Sequence, residues 1–71
     1  MSLKELRIKK GFSLASVAEH LSVSRSTVCL WESGERKCSV DYLVELSKLY
    51  RVSMATITAA YMKTHEGENN G

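Results

Sequence analysis

Apolar positions recur along this chain at intervals of three and four, and serines stand just ahead of four of the apolar runs. That period is the signature of amphipathic helices, and a serine at such a place is a helix N-cap. Five helices are expected. The first covers roughly Leu3 to Lys10, with Leu3 and Leu6 inward, and ends at Gly11 with two lysines that complement its dipole. The second follows Ser13, runs to Leu21, and buries Leu14, Val17, Ala18 and Leu21. The third follows Ser24 and stops at Gly34, a residue suited to a left-handed C-cap. The fourth follows Ser39 and buries Val40, Leu43, Leu46 and Tyr50. The fifth follows Ser53 and buries Met54 and Ile57, with Tyr61 beside them. No segment alternates with period two, so the fold expected is an all-α, compact five-helix bundle with short connections.

On a helical wheel at about 100° per residue, Val28, Trp31 and Glu32 fall on one side of the third helix. Val28 and Trp31 must be its anchor, which places Glu32 beside the core. A carboxylate there needs a cation, and Arg7, next to Leu6 on the inward edge of the first helix, is the candidate. The opposite side carries Ser26, Cys29, Leu30 and Ser33, with Arg25 and Thr27 at the boundary. A purely solvated face would carry Lys and Glu at i, i+4. These residues are short and mostly uncharged, which suits contact with DNA base edges or with another protein; the wheel does not separate the two. The link between the second and third helices is only Ser22 and Val23, and Ala18 permits close approach. That is a helix-turn-helix.

Length and composition add limits. Seventy-one residues make one small core. Residues 1–65 hold ten basic and six acidic side chains, a balance of +4, which allows a phosphate-binding face. Two cysteines, Cys29 and Cys38, are expected as reduced thiols. Neither His20 nor His65 stands at finger spacing from them, so no metal site is expected, and no cofactor. No carboxylate pair, Cys–His pair or glycine-rich phosphate loop is readable, which argues against an enzyme. With neither a membrane-length apolar run nor a charged-then-apolar leader in view, a cytoplasmic setting is expected. The domain is read as residues 1–63, with residues 64–71, ending in the polar "HEGENNG", as a flexible tail.

Residues 3–57 resemble the phage Cro and repressor type of helix-turn-helix transcriptional regulators, a xenobiotic-response-element-like group. The resemblance is carried by Leu6-Arg7, Gly11-Phe12-Ser13, Val17-Ala18, Leu21, Val23-Ser24, the Trp31-Glu32-x-Gly34 signature, and Leu43, Leu46, Val52 and Ile57. It implies a lambda-repressor-like DNA-binding domain of prokaryotic or phage origin, with the third helix in the major groove. Carried over by position, the base-reading residues are Arg25, Ser26 and Leu30, with Thr27 and Cys29 close by. The phosphate positions are Leu14, Ser24, Ser33 and Lys37, and Arg36 joins Lys37 in the loop after Gly34. Arg7 and Glu32 match the internal ion pair of the family. The chain departs from the pattern at Leu14, where Gln is common, at Ser22, where Gly is common, at Cys38, where Pro is common, and at Leu30, where a polar reader is usual.

The function expected is sequence-specific binding of double-stranded DNA by a transcriptional regulator. It would be a repressor acting as a homodimer on a palindromic operator, with Ile57, Ala60 and Tyr61 as candidate dimer contacts. Leu14 and Leu30 leave a second reading: an antirepressor or other protein-interaction module on the same fold.

Overall fold

The computed structural model describes residues 1–65. Five helices follow in order: α1 Leu3–Lys9, α2 Leu14–Leu21, α3 Arg25–Ser33, α4 Val40–Tyr50 and α5 Met54–His65, and the described residues contain no strand. The radius of gyration is 11.0 Å, against about 11 Å for a folded chain of this size.

Side-chain oxygens start the helices. Ser13 accepts from the Ser16 N–H at 3.0 Å while Ser16 Oγ accepts from the Ser13 N–H at 3.1 Å, a reciprocal box satisfying two orphan donors. Ser24 accepts from the Thr27 N–H at 3.1 Å, and Ser53 from the Thr56 N–H at 3.1 Å. Ser2 caps α1 in the same way with Glu5, a cap not read from the sequence. Ser39 has the extended N-cap backbone but makes no side-chain cap bond.

Left-handed residues end them. Gly34 sits at φ +84°, and a Cβ there would meet the Thr64 carbonyl oxygen at 3.1 Å, so both backbone and packing favour glycine. Ser22 closes α2 at φ +58° and Arg51 closes α4 at φ +56°. Ser22 therefore carries the backbone strain expected where Gly is common, of order 1–2 kcal/mol.

Ile57, Val17 and Val28, one each from α5, α2 and α3, are the most completely enclosed side chains. Around them lie Leu3, Leu6, Ala18, Leu21, Trp31, Leu43, Leu46 and Tyr50. Trp31 stacks at a tilt on Tyr42, centroids 4.9 Å apart, and Phe12 on Tyr50 at 5.6 Å. The ends of the described chain meet where the Leu3 N–H donates to Thr64 Oγ1 at 2.9 Å.

Four expectations change. Val40 is 65% exposed and Met54 38%. Each is the first residue of its helix, and its side chain stays at the surface. Ile57 is fully enclosed and Ala60 only 3% exposed, so neither has surface to offer a second copy. The domain boundary also moves: Thr64 and His65 lie in α5, and His65 is buried against Tyr61, centroids 4.3 Å apart. The rest of the expected tail, 66–71, lies outside the described residues.

Candidate nucleic-acid interface

The site is the outer side of α3. Helix α3 is held by its inner side, where Val28 and Trp31 are buried, and by one ion pair. Arg7 Nε donates to Glu32 Oε2 at 2.7 Å and Arg7 Nη2 to Glu32 Oε1 at 3.2 Å. Arg7 Nη1 donates to the Phe12 carbonyl at 2.9 Å. The pair clasps α1 to α3 as its position beside the apolar stripe predicted, and both side chains are more than nine-tenths buried. The hydrogen bonds to Glu32 hold the Arg7 guanidinium above its ordinary pKa, burial opposing them. The third link is the α2–α3 turn, where the Val23 N–H reaches back to the Ala18 carbonyl at 3.0 Å.

With its back fixed, α3 shows solvent Arg25, Ser26, Cys29 and Ser33, with Thr27 and Leu30 half-buried. Arg25 and Ser26 stand exposed in the first turn; where a helix-turn-helix protein reads DNA, base edges are reached from that end of the second helix of the motif. The Thr27 hydroxyl shares a hydrogen bond with Ser24 Oγ at 2.9 Å. Both hydroxyls thus first serve the start of the helix.

Ser33 is more constrained than its sequence position suggests. Its hydroxyl faces the Leu30 carbonyl at 3.1 Å and the Glu35 carboxylate at 2.9 Å, leaving its single proton engaged. The lock arises because Gly34 turns the chain back. The Leu30 carbonyl also receives the N–H groups of Glu35 and Arg36 at 3.1 and 3.2 Å. Arg36 and Lys37 follow this cap, exposed in the loop beside the end of α3. Leu14 is half-buried against the core and has no side-chain donor. Only a backbone N–H at the start of α2, one of the first-turn amides without an intrahelical partner, could meet a phosphate there.

Two residues were missed in the sequence. One is Glu35, which holds Ser33. The other is Lys4, which lines a cleft with Leu14, Cys29 and Ser33; no spacing along the chain signals that three elements meet there.

Cys29 is an exposed thiol, and Cys38 a buried one whose desolvation pushes its pKa up to about 12. No group of three metal-ligating side chains occurs among the described residues. None of the described helices is long and apolar enough to cross a membrane.

Two short helices joined by a tight turn, the second anchored by Trp31 and clasped by Arg7–Glu32, define a helix-turn-helix domain. Comparison with known proteins agrees. A family model described as Helix-turn-helix matches residues 3–57, and the chain belongs to this family, of the Cro/C1 type. A Pyrococcus furiosus protein, provisionally named an HTH-type transcriptional regulatory protein, is 42% identical over 48 residues, 68% of this chain and 15% of that protein. The HTH-type transcriptional regulator AnsR of Bacillus subtilis is 42% identical over 48 residues, 68% of this chain and 41% of AnsR. A counterpart from Thermococcus kodakarensis is 36% identical over 53 residues, 75% of this chain and 17% of that protein. The matched stretch thus spans less than half the length of each of these relatives. No solved structure matches the chain.

Proposed function

We propose that this domain is a transcriptional regulator that binds double-stranded DNA sequence-specifically through α3, and that it represses by occupying an operator as a homodimer. The observation that carries this reading is the two-sided character of α3. Its inner side is fixed by Trp31 and the Arg7–Glu32 clasp, while Arg25, Ser26 and Cys29 stand exposed on the outer side.

In this reading Arg25 reads a guanine, Ser26 assists, and Leu30 with Cys29 touches thymine methyls. Thr27 holds the first turn in place together with Ser24. Arg36, Lys37, Ser24 and the N–H groups at the start of α2 grip phosphates. Ser33 joins them once an approaching phosphate displaces the Glu35 carboxylate. Two copies would set two α3 helices about one DNA turn apart. Tyr61 and the exposed α5 residues Ala59 and Met62 would form the contact, in place of the enclosed Ile57 and Ala60.

The test is a salt titration of binding to random duplex, paired with selection of bound fragments from random DNA. Arg25→Ala should weaken binding to a selected site by roughly 1–3 kcal/mol, and Lys37→Ala should weaken selected and random DNA alike. The half-buried Leu30 on the outer side of α3 favours a second reading, in which this side meets a protein. Failure to bind duplex at low salt would reject the DNA reading in its favour.

A further inference from the structure

Beside α3, a cleft of about 240 Å³ opens between α1, the start of α2 and one flank of α3. Lys4, Arg7, Leu14, Cys29, Glu32 and Ser33 line it. We propose that this cleft seats one backbone phosphate of the bound duplex and that Lys4 is the cation that holds it. The proposal rests on α3 lying in the major groove.

The other polar groups of the cleft supply no net positive charge. Arg7 gives three of its five N–H donors to Glu32 and to the Phe12 carbonyl, and the ion pair with Glu32 cancels its charge. The Ser33 proton faces Leu30 and Glu35. Leu14, where a polar donor is common, offers only hydrocarbon. Lys4 alone adds net positive charge, and it makes no ion pair with any described residue.

Lys4 is also misplaced for its own helix. It stands in the first turn of α1, the end at which the helix dipole favours anions. The neighbouring Glu5 carboxylate accepts from the Ser2 N–H at 2.8 Å, and its pKa is lowered chiefly by that backbone bond. Lys4 therefore contributes little to α1 that an uncharged side chain would not.

The position suits a strand of DNA. An α-helix about 10–12 Å across fills a major groove about 12 Å wide. The flanks of α3 then face the two phosphate chains, while its front faces the bases. Cys29 and Ser33 belong both to the outer side of α3 and to the cleft, so a strand passing that flank crosses the cleft mouth. A lysine on a four-carbon stem is a point charge able to reach it.

The experiment compares Lys4→Gln, Lys4→Arg and Lys9→Gln with the parent on random duplex across a salt series. Lys9 lies exposed at the end of α1 and does not line the cleft. Lys4→Gln should flatten the slope of log affinity against log salt by about 0.9, so that the parent loses about 3.5-fold more affinity than the variant between 50 and 200 mM salt. Lys4→Arg should keep the parental slope, and so should Lys9→Gln. Coincident slopes for Lys4→Gln and Lys9→Gln, with the parent still binding, would overturn the phosphate seat and leave the DNA reading intact. A parent that binds no duplex would overturn both.

Discussion

Replacing Glu32 with Leu leaves the Arg7 guanidinium enclosed by α1, α3 and the Phe12 turn with two of its three hydrogen bonds gone. Arg7 is only 7% exposed, so water replaces little of the lost pairing. Breaking a buried pair from one side costs about 3–5 kcal/mol, because the surviving charge is stranded. A domain of 71 residues has a total stability on the order of 4–10 kcal/mol. Glu32→Leu should therefore unfold much of the population or lower the midpoint steeply. The double variant Arg7→Met/Glu32→Leu strands no charge. It leaves only the Phe12 carbonyl without the Arg7 Nη1 donor, a loss of about 1 kcal/mol. The double variant should thus be more stable than either single one. Urea unfolding followed by helical circular dichroism at neutral pH measures all four proteins. A Glu32→Leu cost below about 1 kcal/mol, or a double variant as unstable as the summed singles, would refute the clasp as an enclosed, coupled pair.

Ser22→Gly should raise stability by roughly 0.5–1 kcal/mol, since the strain relieved at φ +58° exceeds glycine's added entropy cost; thermal unfolding checks it. Stability should also fall as pH climbs from about 9 towards 12. Burial lifts the Cys38 thiol from its ordinary 9.0 to about 12 and pushes the Tyr50 hydroxyl up as well. The unfolded chain then releases protons that the folded chain retains, which favours unfolding over that window. Cys38→Ala should flatten the alkaline loss in urea melts taken at pH 8 and pH 10.5.

What the chain order reveals and what it conceals follow from the range of the interactions. Ser13, Ser24 and Ser53 marked the starts of α2, α3 and α5, and Gly34 the end of α3, because capping is a matter of three or four neighbouring residues. The Arg7–Glu32 clasp could be inferred because each charge sits beside an apolar stripe, and an enclosed charge demands a partner. Val40 and Met54 misled because a helical period assigns a side of the helix but not the depth of burial at each turn along it. Ile57 and Ala60 misled for a related reason. A helix in a small bundle can be wrapped on its whole inner side, here by α1, α3 and α4 around α5. The Ser33–Glu35 lock escaped notice because residues two apart do not meet on a helix. They meet only where Gly34 reverses the chain. Lys4 escaped because its neighbours Leu14 and Cys29 come from separate elements.

Alkylation of Cys29 tests the central claim most directly, namely that the outer side of α3 lies against DNA. The folded chain offers a slow reagent one exposed thiol, since Cys38 is enclosed and holds its proton. If α3 enters the groove, saturating duplex at low salt should slow Cys29 alkylation at least tenfold, and raising the salt until the complex dissociates should restore the free rate. A chain that retains the duplex while Cys29 reacts at the rate of the free protein would contradict the account.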